Sequence, residues 1–296
     1  MNADGSLTIG DNGISVDVGQ KMEWLLTEYA LRGFHRGTRV FDIRGLHTVG
    51  LKAVAALSSF VEMQTTSQGQ TIAHRFEGGR SISPEIDLGA AKGRIRNRFT
   101  FRPDPAFFAD STFEWNRLAA RLEQLAFLKP GLKTTLYEVS TKRRESWRYP
   151  RGIADYLNTS GERDLVFGHA EVGDMDIAFG CLWTEGGDIR VESFANLHHT
   201  ARGGTHVDGL RQGIARVRRR LQRSELKNVP KRIGIHAIVH VRVLEPQFES
   251  QFRIRLNNPE VEPAVADFVA RTMDSHLEAG NPSLRSLLAQ FRWRHS

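Results

Sequence analysis

Apolar residues spaced three and four positions apart indicate the helices of this chain. In one segment, Leu118, Leu122 and Leu125 recur at that spacing. Such a period places apolar side chains on one face of an amphipathic helix. The pattern predicts helices at residues 20–31, 113–125, 205–221 and 261–277, and the alanine-rich residues 51–57 predict a further, buried helix.

Alternation of apolar and polar residues indicates the strands. Successive side chains of a strand point to opposite faces, so a half-buried strand shows a period of two. Glycine or proline bounds most of these runs, as expected for an antiparallel sheet. Two segments, residues 32–42 and 141–150, are expected to be loops. The predicted strands are residues 7–13, whose last three form a turn, and 70–76, 98–102, 132–139, 165–172, 174–183, 190–196 and 233–244.

The order of these elements predicts an α/β protein with two domains, each a two-layer sandwich. The chain has 296 residues, and one domain commonly takes about 100 to 200. The composition changes near Thr159, Ser160 and Gly161, where a second series of strands begins. We therefore expect one domain over residues 1–158 and another over residues 159–296.

Composition narrows the class of protein further. Hydrophobic residues make up 40% and charged residues 25%, which is typical of globular proteins. The single cysteine, Cys181, excludes an intramolecular disulfide and a cysteine-based zinc cluster. No apolar run has the length of a signal peptide or of a membrane helix, so we expect a soluble, cytoplasmic protein without a membrane partner.

The net charge of +7 favours a polyanionic partner such as nucleic acid. Basic residues concentrate on the predicted helix 205–221 and just beyond it. With Val217 and Leu221 facing inward, these arginines would project outward and contact DNA phosphates without reading sequence. The alternative is a solvated helix face. The candidate DNA-binding residues are Arg216, Arg218, Arg219, Arg220 and Arg223.

Two short segments could bind a ligand. Asp11, Asn12 and Gly13 form a turn that fixes a carboxylate at a strand end, although the same triplet is common in surface turns. Residues 45–50 begin and end with glycine and precede a helix. Backbone N–H groups there could cradle phosphate, and the alternative is an ordinary connecting loop.

Several motifs resemble the gyrase B and topoisomerase IV B-subunit family, and they occur in the family's order. Residues 45–50, GLHTVG, resemble its phosphate-binding box GLHGVG. Residues 193–196, SFAN, followed by residues 200–206, TARGGTH, resemble its SFVNN and TxxGGTH signature. Residues 246–251, PQFESQ, resemble its PxFEGQTK loop. The resemblance covers most of the chain, from about residue 4 to about residue 277.

This resemblance implies an ATP-binding region of a type II DNA topoisomerase, an isomerase. The first domain would be a truncated GHKL-type ATPase domain, and the second would be a transducer similar to domain 2 of ribosomal protein S5. Asp11 and Gly13 would hold adenine, and Gln251 and Arg253 would reach the terminal phosphate. The phosphate box would comprise Gly45, Leu46, His47, Thr48, Val49 and Gly50.

The chain departs from the family pattern at several of these positions. Thr48 replaces the middle glycine of the box, Phe252 replaces a threonine, and Arg253 replaces a lysine. The planar guanidinium of arginine differs in shape and hydrogen-bonding geometry from the compact ammonium group of lysine. The family's glutamate base and magnesium-binding asparagine precede the adenine turn, whereas this sequence begins at Met1. We therefore expect impaired ATP hydrolysis by this chain alone, with magnesium bound only if ATP binds.

Two functional hypotheses follow. The first is a gyrase B-like ATP-binding and transducer region without the TOPRIM or cleavage domains. It would act on DNA with a gyrase A-type subunit or a separate TOPRIM-bearing chain. The second is a non-catalytic protein that binds DNA or gyrase and has a degenerate ATP site. We assign no metal to His198, His199 and His206, because no carboxylate or cysteine completes a ligand pattern.

Overall fold

The computed structural model describes residues 1–13, 47–110, 112–158, 165–221, 233–280 and 282–293. The predicted helix 20–31 and loop 32–42 lie outside this part. Contacts divide the chain into two units. The first holds the described residues up to Leu122 together with Thr135–Ser146, and the second holds Glu123–Thr134 and the described residues from Trp147 onward. The predicted boundary at residue 158 lies beside undescribed residues and stays a prediction.

The first unit contains a mixed α/β arrangement around an antiparallel sheet. Strand order is β1-β6-β2-β3-β4, and β5 also pairs with β3. Helix α1 packs on this sheet, and four buried side chains, Ala55, Val61, Met63 and Phe76, form the core. The elements are β1 (Leu7–Asp11), α1 (His47–Ala56), β2 (Ser58–Ser67), β3 (Gln70–Glu77), β4 (Arg80–Ser81), β5 (Ile86–Ala90) and β6 (Asn97–Pro103).

Helix α2 (Trp115–Leu128) follows, and then a two-stranded sheet of β7 (Lys133–Tyr137) and β8 (Arg144–Arg148). The predicted loop at residues 141–150 is therefore wrong at residues 144–148, which form β8. Strand β8 exposes charged side chains and buries only Trp147. Its hydrogen bonds to β7 form without the apolar alternation that a buried strand shows.

The second unit is built on a five-stranded sheet in the order β12-β11-β13-β10-β9. Strands β11 and β13 are parallel, and the other pairs are antiparallel. Its elements are α3 (Ile153–Leu157), β9 (Leu165–Val172), β10 (Met175–Glu185), β11 (Ile189–Ala195), β12 (His198–His199), α4 (Thr205–Arg220), β13 (Ile233–Val243), α5 (Val261–Glu278) and α6 (Pro282–Gln290). The mixed α/β class predicted from the sequence is confirmed.

Both faces of this sheet are covered. Val239 and Val241 of β13 point into a large core with helices α4, α5 and α6. Ile238 points to the opposite face, where it packs with Phe127 and with Ile153 of α3. Because successive side chains of β13 point to opposite faces of the sheet, this strand contributes residues to both cores.

Glycines allow helices α4 and α5 to lie against each other. A Cβ atom at Gly213 would lie 2.7 Å from the Cβ of Val269, and one at Gly209 would lie 2.5 Å from the carbonyl oxygen of Glu262. The two glycines are four residues apart and so share one face of α4. The absence of side chains there sets the distance between the helices.

Helix α1 differs from its prediction in two respects. It begins at His47, before the predicted start at residue 51. Within the predicted segment, residues 51–57, only Ala55 is buried, whereas Ala53 and Ala56 are exposed, so the expected burial of that segment is wrong. Among the helices of the described part, none is both long and apolar enough to cross a membrane.

Candidate nucleotide and nucleic-acid sites

The carboxylate of Asp11 is fixed at the end of β1. The backbone N–H of Gly13 donates to Asp11 Oδ1 at 2.8 Å, which closes the turn predicted from the sequence. Asn97 of β6 also donates to Oδ1, through Nδ2 at 2.8 Å. Both donors therefore hold the same oxygen. Within the described residues, Oδ2 of this exposed side chain is left as a free acceptor.

Asn97 is a site residue that the sequence analysis missed. Its side-chain oxygen accepts a hydrogen bond from Thr65 Oγ1 at 3.0 Å, which orients its amide group toward Asp11. Thr65 is buried in β2, the neighbouring strand. Three adjacent strands thus position one carboxylate. Only the register of β1 against β6, which pairs Asp11 with Asn97, could have shown this.

Part of the predicted phosphate box forms the start of helix α1. Residues His47 to Gly50 are helical, so their expected loop conformation is wrong, while Gly45 and Leu46 lie outside the described residues. Thr48 carries a β-branched side chain and disfavours the positive φ that a glycine adopts. Within the described residues, the N–H groups of His47, Thr48, Val49 and Gly50 have no acceptor in α1, because the first four N–H groups of a helix lack partners within it.

Gln251 and Arg253 lie in the second unit, on the loop between β13 and α5. Arg253 Nη1 donates to Nε2 of His198 at 2.6 Å, and its guanidinium lies 5.9 Å from the ring centroid of Phe248. Arg253 also has a φ of 56°, which few residues other than glycine adopt. Gln251 is exposed. The nucleotide candidates therefore belong to two units.

Three of the candidate DNA-binding arginines on α4 have partners within the second unit, and their contact with DNA stays a prediction. Arg216 pairs with Asp267, and Arg220 pairs with Asp274. Arg218 donates to the carbonyl oxygen of Phe291 at 3.2 Å. Helix α5 presents its acidic residues toward α4, and the sequence pattern of α4 alone could not show this.

Arg219 remains exposed, without an acidic partner among the described residues. Arg223 lies outside them. The inward face predicted for Val217 and Leu221 is confirmed, since Val217 is buried and Leu221 is partly buried against the same core.

The residues of the motif TARGGTH form a buried hydrogen-bond chain. His206 Nε2 lies 2.9 Å from Thr200 Oγ1, which lies 2.7 Å from Ser193 Oγ. Ser193 Oγ donates in turn to the carbonyl oxygen of Thr200 at 2.9 Å. Burial lowers the pKa of His206 to about 3, so its ring is neutral at pH 7. This arrangement gives the motif a structural role.

Residues 131–294 match a family model described as DNA gyrase B, and this range is more than half of the 296 residues. The chain belongs to the DNA gyrase B family. The predicted resemblance is thereby confirmed. The match includes the whole GGTH motif and the loop with Gln251 and Arg253.

Curated members of the family are similar over nearly the whole chain. The DNA gyrase B-subunit of Clostridium acetobutylicum is 27% identical over 311 residues, which cover 97% of this chain and 48% of that protein. The DNA topoisomerase 4 B-subunit of Streptococcus pneumoniae is 29% identical over 294 residues, which cover 91% of this chain and 45% of that protein. The chain spans about half the length of these relatives.

A solved gyrase B structure has a similar fold. It is the crystal structure of the 43K ATPase domain of Thermus thermophilus gyrase B in complex with an aminocoumarin. The TM-score is 0.76 at 26% sequence identity, and the alignment covers 96% of this chain and 79% of that chain. The likeness supports the predicted fold class across both units.

A second polar cluster of this gyrase B family member was not predicted. Asp176, nearly buried on β10, accepts hydrogen bonds from Arg242 Nη2 at 2.8 Å and from His169 Nε2 at 3.1 Å. Burial opposes ionisation of Asp176, but the two hydrogen bonds and the charge of Arg242 outweigh it and hold its pKa well below the usual range. His240, on the same face, is fully buried, and burial lowers its pKa to about 3.

Proposed function

We propose that this chain is the ATP-binding and transducer region of a gyrase B-like subunit. The observation that carries the proposal is the carboxylate of Asp11, which two donors hold through Oδ1 while Oδ2 has no partner among the described residues. An anionic acceptor in a fixed position suits the exocyclic amino group of adenine. The pairing of Asn97 with Thr65 limits rotation of the carboxylate and keeps Oδ2 in place.

The triphosphate would bind at the start of helix α1. The N–H groups of the first turn of a helix and the positive end of its dipole favour anions. Gln251 and Arg253 of the second unit are the proposed contacts to the terminal phosphate. Magnesium would bind only together with ATP, whose phosphate oxygens are ligands that this ion prefers.

The proposed partners are DNA and either a gyrase A-type subunit or a separate TOPRIM-bearing chain. Topoisomerase activity would need that partner, and the proposed location is the cytoplasm. Arg219 of α4 is the residue of its helix best placed for DNA phosphate, because it is exposed and has no acidic neighbour among the described residues. Arg216 and Arg220 are held by α5 and would contribute less.

Replacing Asp11 tests the nucleotide site. We expect a labelled, non-hydrolysable ATP analogue to bind the parent chain saturably. Asp11→Asn, which removes the charge but keeps the shape, should weaken binding roughly tenfold to hundredfold, because a charged hydrogen bond contributes about 1.5–3 kcal/mol. Asp87→Asn is the matched control, since Asp87 is exposed and accepts the N–H of Gly89 at 2.7 Å in a similar turn.

Absence of saturable binding by the parent at millimolar analogue would refute the nucleotide proposal. The alternative would then stand, a non-catalytic DNA- or gyrase-binding protein with a degenerate ATP site. The contact of Arg253 with His198 and Phe248 favours that alternative, because it draws the guanidinium onto its own unit. An equal loss in Asp11→Asn and Asp87→Asn would also count against the adenine site.

A further inference from the structure

An apolar groove lies in the first unit, between helix α1 and the segment that follows strand β6. Its volume is about 350 Å³, which is near the lower end of the range for ligand-binding pockets. Both α1 and β6 contribute to its lining, as do phenylalanines from the following segment. The lining includes Ala53, Val54, Leu57, Phe101, Phe108 and Phe113.

The hydroxyl groups that line the groove already have partners. Ser58 Oγ donates to the carbonyl oxygen of Val54 at 2.6 Å. Thr112 Oγ1 donates to Asp110 Oδ1 at 3.3 Å. A ligand of this groove would therefore bind mainly by burying apolar surface.

The edge of the groove is apolar and exposed. Leu57 is 37% exposed and Phe108 is 41% exposed, and the neighbouring Phe107 is 61% exposed. A small molecule has most of its surface buried in its pocket and would leave these side chains in water. Contiguous apolar surface of this kind is typical of protein interfaces. The groove therefore suits a segment of polypeptide.

A helix fits this groove better than an extended strand does. Pro103 has no N–H group, and the N–H of Asp104 already donates to the carbonyl oxygen of Leu57 at 3.0 Å. An extended peptide would find no backbone donor at these two positions. Ala53 and Leu57 are four residues apart and both exposed, so they present one face of α1 to a second helix.

The segment beside the groove is acidic, although the chain has a net charge of +7. Residues 103–116 contain Asp104, Asp110 and Glu114 but no lysine or arginine. Glu114 pairs with Arg117 at 3.9 Å. Asp104 and Asp110 form no ion pair in the part of the chain that the structure describes, and each uses only Oδ1 within it.

The basic residues nearest in sequence do not cancel this charge. Arg102 alternates with Phe101 along β6, so its side chain points to the other face of the sheet, where it is within electrostatic reach of Asp4. The ammonium nitrogen of Lys52 on α1 is buried. The carboxylates of Asp104 and Asp110 therefore leave the surface beside the groove negative.

We propose that this groove binds a basic amphipathic helix of a partner protein. Apolar side chains three and four residues apart would enter the groove, and flanking lysines or arginines would face Asp104 and Asp110. DNA is unsuited, because its phosphates would meet the same carboxylates. A second copy of this chain could not offer α4, the most basic helix of the described part, because α4 buries its apolar face in its own core.

This inference goes beyond the proposed function and requires neither nucleotide nor DNA. The groove involves the C-terminal half of α1, whereas the proposed triphosphate contacts lie in its first turn. Binding of a helix and binding of nucleotide can therefore be measured separately.

Selection of a phage-displayed library of helical peptides on the full chain tests the proposal. The enriched peptides should carry apolar residues three and four positions apart and a net positive charge. One enriched peptide, labelled with fluorescein, then gives the affinity by fluorescence anisotropy. Circular dichroism of each variant confirms that it is folded.

Two variants examine the apolar and the charged parts of the groove. Ala53→Trp should weaken peptide binding at least about tenfold, because the indole would occupy the groove. Its matched control, Ala56→Trp, adds the same ring at an exposed position of α1 outside the lining and should keep parental affinity.

The double variant Asp104→Asn, Asp110→Asn should weaken binding about threefold to tenfold and reduce its salt dependence, because exposed charges act over a screened distance. Its control, Glu77→Gln, Asp87→Asn, removes two exposed carboxylates elsewhere in the first unit and should bind like the parent.

A library without enriched peptides would overturn the proposal, as would peptides that bind Ala53→Trp as tightly as the parent. Enrichment of acidic peptides would overturn the choice of a basic partner. Self-association of the parent that is lost in Ala53→Trp would assign the groove to a second copy instead. A parent that binds the selected peptide but no ATP analogue would count against the nucleotide proposal alone.

Discussion

His206 and His240 of the second unit are buried and neutral. Burial lowers the pKa of both to about 3, against an ordinary value of about 6.5 in the unfolded chain. His206 Nδ1 and His240 Nε2 lack hydrogen-bond partners in the described part. Protonation would place an unpaired charge in the core, so these rings favour the folded state only while they stay neutral.

Lowering the pH from 7 to 5 should therefore destabilise the second unit. Over this range the unfolded state takes up protons at both histidines and the folded state does not, so the free energy of unfolding falls as the pH falls below about 6.5. The expected loss is about 2 kcal/mol per histidine. Urea unfolding followed by circular dichroism at pH 7, 6 and 5 measures it.

His240→Leu is the informative variant, because it removes one titrating group and leaves an apolar side chain of similar size. Its pH-dependent loss should be smaller than the parent's by about 2 kcal/mol. His169→Gln is the contrasting control. The hydrogen bond to Asp176 raises the pKa of His169, whose contribution is present below about pH 6.5 and lost above its raised pKa, so removing it should steepen the loss. An unchanged pH dependence in His240→Leu would contradict the argument.

Site residues could be predicted from the sequence only where they belong to a short local motif. Asp11 and Gly13 form a local turn, which two neighbouring residues determine. Asn97 joins the site through a hydrogen bond to a residue 86 positions away, and only strand register creates that contact. The ion pairs of Arg216 and Arg220 could not be predicted for the same reason, because their acidic partners lie on another helix.

At the scale of elements, the two glycines of α4 set its packing against α5. Gly213→Ala should lower the free energy of unfolding by about 1–3 kcal/mol, since a Cβ there would lie 2.7 Å from the Cβ of Val269 and 2.8 Å from the carbonyl oxygen of Ala266. Alanine's better helix propensity, worth about 1 kcal/mol, would offset only part of this. Urea unfolding of both proteins gives the difference.

The matched control is Gly50→Ala in α1, where a Cβ would meet no atom within 4 Å. It should leave stability unchanged or raise it by up to about 1 kcal/mol through helix propensity alone. If Gly213→Ala and Gly50→Ala change the free energy of unfolding equally, the close approach of α4 to α5 does not depend on a glycine at position 213. Comparing the two variants separates the effect of packing from that of helix propensity.

The elements that sequence patterns predicted best are those with one buried face. Helix α4 and strand β13 begin at the predicted residues, because each buries a regular apolar series. Strand β2 was missed, since two of its four buried positions, Ser58 and Thr65, are polar and blur the apolar alternation. Helix α6 was also missed, because its buried Leu284 and Leu288 form a series too short to stand out.

At the scale of the whole molecule, the two units differ in the size of their cores. The main core of the second unit contains 25 buried residues, whereas four buried residues form the described core of the first unit. Burial of apolar surface is the main favourable contribution to folding. The second unit should therefore be the more resistant to opening.

Native-state hydrogen exchange tests this difference. Amides of β13 should exchange more slowly than those of β2 by more than about tenfold, because opening free energies range from near zero to the global value. Both strands lie inside their sheets, so edge effects do not explain a difference. Equal protection of the two strands would show instead that the units unfold together.

Gly204 has a consequence for how the second unit could respond to a ligand. Its φ is 129°, and a Cβ there would lie 2.1 Å from the carbonyl oxygen of Leu256, so only glycine lets the two backbones meet. The N–H of Leu256 donates to the carbonyl oxygen of Gly203 at 3.1 Å. The carbonyl oxygen of Leu256 accepts from the N–H of Thr205 at 3.0 Å. These contacts fix the loop with Arg253 to the first turn of α4. A ligand that displaced the guanidinium of Arg253 would therefore also displace α4, a 16-residue helix with Arg219 near its C-terminal end.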